Sequence, residues 1–146
     1  MYLWRLMNYK QLICFFVFVV ASGCKKEVTA ADLQHINGYW EIEEVTMNDG
    51  SHKEYRVNEI IDYFEIADGK GYRRKVRPQF DGKYLNMGEA EAISVIFKDG
   101  KAILHYSTPY MKWQEEVEVL NKDQMILQNN EGTEYQYKRA VPFNIK

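Results

Sequence analysis

In AISVIFKDGKAILHYS, residues 92 to 107, apolar side chains recur at every second position until a polar break and then resume. Ile93, Val95 and Phe97 fall on one side of an extended strand, and Ser94 and Lys98 on the other. Asp99-Gly100 suits a two-residue hairpin turn in which both central φ angles are positive. Beyond it Ile103 and Leu104 are neighbours, so both sides of the returning strand are partly apolar. In MKWQEEVEVL the alternation sets Trp113, Val117 and Val119 against Lys112, Gln114, Glu116 and Glu118. In EYQYKR it sets Tyr135, Tyr137 and Arg139, pointing inward, against Gln136 and Lys138.

Turn-forming groups separate these runs: Asn48-Asp49-Gly50, Asp68 to Gly71, Asp81-Gly82 and Asn129 to Gly132. About eight short strands at near-regular spacing predict a β-sandwich or a barrel, and hairpin-length turns throughout favour an up-and-down meander. Asn58 to Phe64 reads as strand or as a helical turn. Before the first strand, Thr29 to Ile36 reads as coil or as a short helix, with Thr29 as N-cap and Asp32 near its positive end; Asn37-Gly38 ends it.

A different pattern opens the chain. Leu12 to Ala21 (LICFFVFVVA) carries no charge, follows Arg5 and Lys10, and is too short to cross about 30 Å of hydrocarbon as a permanent helix. Met7 begins a more conventional basic segment (MNYK), which leaves the start codon open. The apolar run ends in Ala21-Ser22-Gly23-Cys24, which resembles the lipobox of bacterial lipoproteins. That resemblance implies cleavage before Cys24, acylation of its thiol and residence on the outer membrane. The expected organisation is a signal peptide over 1–23, a lipidated tether with the short helix over 24–35, and one barrel domain over 36–146. Lys25-Lys26-Glu27 lacks the acidic run of known surface-export signals, which favours the periplasmic face.

Composition narrows the function classes. The chain has 146 residues and two cysteines, and Cys14 lies in the discarded segment, so no disulfide forms within one mature chain. Without Arg5 and Lys10, 17 basic residues face 21 acidic ones, which offers nucleic acid no clustered positive surface.

Gly38-Tyr39-Trp40 heads the first strand and EYQYKR forms the last. Together with the late segment LNKDQMILQ they resemble the lipocalin-like domains of small Bacteroidota lipoproteins, over about Ile36 to Arg139. The resemblance implies an all-β fold: an antiparallel up-and-down eight-stranded barrel preceded by a short N-terminal helix. It also implies closure by Gly38, Trp40 and Arg139, with the arginine packed over the indole. A small apolar or amphipathic ligand inside the barrel is the function it suggests.

The aromatic residues Tyr63, Phe64, Tyr106, Tyr110, Trp113, Tyr135 and Tyr137 are the candidate lining. They would equally fill a narrow eight-stranded barrel. Thr108 to Met111 reads as a mouth loop, lid or plain turn. The basic strand Tyr72 to Arg77 places Arg73, Lys75 and Arg77 on one face and Tyr72, Arg74 and Val76 on the other. It reads as a solvated face paired with Glu115 and Glu118, or as an anion site centred on an inward Arg74.

His35, His52 and His105 share no metal-ligand spacing, and no nucleophile occupies a recognisable elbow. Glu115-Glu116 and Glu89/Glu91 read as solvated carboxylates. No metal, cofactor or catalysis is expected. The expected partners are the membrane and either a ligand or, for a packed barrel, an envelope protein.

Overall fold

The computed structural model describes residues 25–142, so the signal segment and Cys24 lie outside the described residues. A 3₁₀ helix, Asp32–Ile36, precedes ten strands: β1 (Gly38–Thr46), β2 (His52–Glu54), β3 (Ile61–Ala67), β4 (Lys70–Pro78), β5 (Tyr84–Asn86), β6 (Glu91–Lys98), β7 (Lys101–Ser107), β8 (Lys112–Leu120), β9 (Gln124–Asn129) and β10 (Glu134–Arg139). Eight of them form a closed antiparallel ring in the order β1, β3, β4, β6, β7, β8, β9, β10 and back to β1. The fold is thus all-β, with almost no helix among the described residues. The stretch at Asn58 to Phe64 resolves as a loop running into β3.

The hairpins obey the local chemistry of their turns. Asp99 and Gly100 have φ of 53° and 73°, and Asp68 and Gly69 repeat the arrangement at 51° and 75° between β3 and β4. These turns mark the lower end of the barrel. There the 3₁₀ helix crosses the opening and buries Leu33 and Ile36, joined by Val28 from the preceding segment. Three such aliphatic side chains contribute on the order of 5 kcal/mol by burial, comparable to the net stability of a small domain. The cap is therefore part of the core.

At the upper end the ring flares. β1 pairs with β3 only over Gly38 to Trp40 and then takes up β2, while β4 pairs with β6 only over Lys70 to Arg73 and then takes up β5. A bulge in β1 between Ile42 and Glu44 lets the strand bend away. Asn58 bridges the resulting gap, its Nδ2 donating to the Ile42 carbonyl at 2.9 Å.

Trp40, Phe64, Leu104, Met125 and Leu127 are wholly buried and fill the lower lumen. The alternation predicted for β6 and β10 holds at Ile93 and Tyr137, which point inward. That for β8 holds only in part. Trp113, Glu115 and Val117 share the inner face by plain alternation, and a second bulge between Val117 and Val119 then shifts it so that Leu120 points inward and Val119 does not.

Candidate functional site

The lower end is built around Trp40. Its backbone lies opposite Arg139 across the β1–β10 seam. The indole Nε1 donates to the Ile36 carbonyl at 2.7 Å, tying strand to cap. The guanidinium carbon of Arg139 stands 3.8 Å from the indole centroid, and its nitrogens donate to the carbonyls of Asn37 and Lys122, both at 2.7 Å, and of His35. Gly38, at φ +113°, lies directly beneath: a Cβ there would come 3.0 Å from Arg139 Nη1. Asn37 adds a clasp absent from the sequence reading, accepting from Ile66 N at 2.7 Å and donating to Ile66 O at 3.1 Å.

The upper lumen is ionic. Arg73 on β4 is buried and bonds Glu91 on β6 through Nη2 at 2.6 Å and Nε at 3.3 Å. Its Nη1 reaches Glu115 on β8 at 3.5 Å, across the width of the lumen. Lys75 meets Asp62 at 2.5 Å, and Tyr137 Oη donates to the other Asp62 oxygen at 3.1 Å. Arg73 also lies 4.6 Å from the centre of the Tyr106 ring, which stacks on Trp113 at 5.1 Å with 4° between the planes.

Arg73–Glu91 and Lys75–Asp62 tie adjacent strands, Asp62–Tyr137 reaches past β1, and Arg73–Glu115 spans the lumen. Burial works against the charge of Arg73, but Tyr106, Asp62, Tyr137 and Glu91 outweigh it, so the guanidinium stays protonated. Burial raises the Glu115 carboxyl above its ordinary range, and Arg73 offsets only part of that. The Tyr106 and Tyr137 phenols are likewise raised by burial and remain neutral. Tyr106 Oη is buried and turns toward the Glu115 carboxylate without a well-aligned hydrogen bond. Every carboxylate in this group faces a cation, an arrangement that ties strands together.

Of the aromatic candidates, Phe64, Tyr106, Trp113, Tyr135 and Tyr137 converge on the lumen. Three other candidates do not. Tyr63 lies on the outer face between Tyr39, at 4.7 Å, and Tyr72, at 6.1 Å. Tyr110 is 91% exposed at the tip of a turn closed by Thr108 N donating to Met111 O at 2.9 Å, so Thr108 to Met111 is a plain turn. Arg74 is not the inward arginine: it sits 5.6 Å from the Tyr72 ring outside, while Arg73 points in.

The register decides this. Arg73 lies opposite Phe64 and Glu91, both inward, whereas Arg74 lies opposite Tyr63. Of the basic face only Arg73 is buried and paired with Glu115; Lys75 is half-exposed, Arg77 is exposed, Glu118 pairs with Lys25 instead, and Glu91 and Glu115 are not solvated. Asp62, Arg73, Lys75, Glu91 and Glu115 were thus missed as a group. The available signal was a strand with cations at alternate positions beside strands carrying acids.

Depressions of about 250 to 510 Å³ are lined mainly by outward-facing and rim residues, and the one of about 510 Å³ also touches Tyr106 and Trp113. None is lined by Asp62, Arg73, Glu115 or Tyr137. The most apolar, of about 250 Å³, lies at the upper rim between Val57, Pro78 and Phe80. Among the described residues no three His, Cys, Asp or Glu side chains are placed to hold a metal ion.

Ring closure and the Trp40–Arg139 seal together settle the architecture. The fold is an eight-stranded antiparallel closed barrel sealed at one end. No family model and no curated protein matches the chain. Among solved structures it is similar to a lipocalin-like protein from Bacteroides uniformis, at 14% identity and a TM-score of 0.46 over 73% of this chain and 99% of that one. It is also similar to an uncharacterized protein from Bacteroides eggerthii, at 19% identity and a TM-score of 0.45 over 71% and 98%.

Proposed function

We propose that this lipocalin-like barrel is an envelope protein anchored by acyl chains on Cys24 to the periplasmic face of a bacterial outer membrane, and that it acts as a non-catalytic docking module. The observation that carries the reading is the filled lumen. Apolar side chains occupy its lower half, the Arg73–Glu115 pair crosses its upper half, and Asp62 and Tyr137 fill the lumen beside β1. A carrier of small molecules needs an apolar cavity of a few hundred cubic ångströms with a few polar groups.

Exposed apolar side chains collect at the upper rim instead: Met47, Val57, Ile60, Phe80, Leu85, Tyr110 and Met111. Such a concentration marks a surface that contacts another molecule. Residues 25–28 leave the barrel beside the lower turn at Asp99-Gly100, so the rim points away from the anchor, and an envelope protein is the partner it suits.

A ligand in the barrel is the second reading, favoured by Tyr106 Oη, a buried hydroxyl held by Glu115 only in poor geometry that a polar group of a small molecule would satisfy better. Native mass spectrometry of the protein purified from its host separates the two. The docking reading predicts the mass of the polypeptide and its acyl chains alone, whereas a stoichiometric small-molecule adduct would overturn it. A photo-crosslinking residue at Tyr110 should trap a discrete protein partner in the envelope, and the same residue at Lys98 should not.

A further inference from the structure

Residues 25–31, polar and small, read in sequence as a brief tether, but the segment is fastened to the barrel at several points. Val28 is 8% exposed and packs in the same core as Leu33 and Ile36. Thr29 and Asp32 bond reciprocally, with Thr29 N and Oγ1 each 3.0 Å from Asp32 Oδ2. Lys26 pairs with Asp32 at 3.7 Å and Lys25 with Glu118 at 3.5 Å. The Glu27 carboxylate lies against the β6–β7 turn so closely that a Cβ on Gly100 would stand 2.6 Å from its Oε1. Each exposed ion pair contributes little. The buried valine and the bonded turn behind it fix the path.

We infer that residues 25–28 are a strap that presses the lower wall of the barrel, at the β6–β7 turn and β8, against the phospholipid surface holding the anchor. This rests on the proposed acylation of Cys24. Only four peptide units separate Val28 from Cys24, and an extended chain covers at most about 14 Å over that length. Acyl chains buried in the bilayer bring Cys24 to the headgroup layer. The strap then leaves the lower wall no room to stand off, and its partner is the bilayer itself. The rim lies at the other end of β7, roughly 20 Å farther along at about 3.3 Å per residue. A free leash would let the barrel tumble and present both ends equally.

The test uses the full acylated chain, matured in a bacterial host and reconstituted in phosphatidylethanolamine–phosphatidylglycerol vesicles bearing a headgroup-linked energy acceptor. A donor is attached to a cysteine in Lys98→Cys, beside the lower turn, or in Tyr110→Cys, at the rim. Both sites are exposed, and thermal melts confirm that the variants fold. Transfer from position 98 should exceed that from position 110 about twofold or more, given the ~20 Å separation. A flexible Gly-Ser insertion of about 20 residues between Cys24 and Lys25 should abolish the difference. Equal transfer from the two sites in the uninserted protein, or a difference that survives the insertion, overturns the strap. Intact mass of the same sample keeps the two ideas apart: acyl chains with equal transfer overturn the strap alone, whereas a chain without acyl groups overturns the anchor reading on which it rests.

Discussion

Arg139 and Trp40 face each other across the seam that closes the barrel, with the guanidinium carbon 3.8 Å from the indole centre. One side chain thus joins the last strand, the first strand and the cap, because the same guanidinium bonds the carbonyls of His35, Asn37 and Lys122. Trp40→Ala should lower stability by about 3 to 5 kcal/mol, the cost of removing a large buried aromatic. Arg139→Ala should lower it by about 2 to 4 kcal/mol, from lost cation–π attraction and unsatisfied carbonyls. The double variant should fall short of the sum by about 1 kcal/mol, since the two residues touch. Urea midpoints of the four proteins check this, and an unchanged midpoint for Trp40→Ala would refute its closing role.

The struts behave differently from the seal. Arg73→Met removes the cation that two acids share, leaving Glu91 and Glu115 facing each other in a dry interior. A loss of about 3 to 5 kcal/mol is expected, as for breaking a buried ion pair from one side. Adding Glu91→Gln and Glu115→Leu should recover most of it, because the charges then leave together. Chemical denaturation of the single and triple variants distinguishes this from a simple loss of arginine packing, which the triple variant would not repair.

How much of this was legible depended on whether the signal was local. The turn at Asp99-Gly100 and the inward faces of Ile93 and Tyr137 follow from residues within a few positions of each other. The inward arginine did not. In YRRKVR a cation stands on each face, and the choice between Arg73 and Arg74 is made by pairing with β3 and β6, which lie several residues to either side in the chain. Alternation already sets Glu115 on the face of Trp113 and Val117, but a carboxylate there read as solvated because its partner Arg73 lies on a distant strand; the β8 bulge hid only the inward turn of Leu120. Phe97 shares the face of Ile93 yet is 46% exposed, because β6 runs on to its lower turn. The Trp40–Arg139 seal came from family resemblance and not from periodicity.

The buried acid gives stability a pH dependence of definite sign. Burial places the Glu115 carboxyl above the ordinary 4.5 of a glutamate, and Arg73 returns only part of the shift. The folded protein therefore holds this proton more tightly than the unfolded chain. Stability from this group falls as pH rises from about 4.5 through the folded value, and is fully present below that window. Glu115→Gln lacks the titration, so its stability relative to the parent should rise with pH across the same window. Urea denaturation at several values between pH 4 and pH 8 measures the slope. A constant difference would show that the Arg73 pair cancels the burial.

Gly71 shows how closely the first strands approach. It sits on the inner face of β4 opposite Ile66, and its neighbours leave no space for a side chain. A Cβ there would lie 1.8 Å from the Glu65 carbonyl oxygen and 2.7 Å from the carbonyl carbon, so the obstruction is backbone and cannot rotate away. In sequence this glycine looks like the last residue of the Asp68–Gly71 turn, but the turn is complete at Gly69, and Gly71 already belongs to the ladder. Gly71→Ala should therefore separate β3 from β4 next to the Arg73 strut and destabilise by more than about 3 kcal/mol, in the range reserved for forced backbone movement. Gly82→Ala is the control: it requires strain at φ +80°, but nothing lies within 4 Å of its Cβ, so a loss of only about 1 kcal/mol is expected. Gly71 has no positive φ, so equal thermal midpoints for the two variants would show that the contact between strands does not require glycine at position 71.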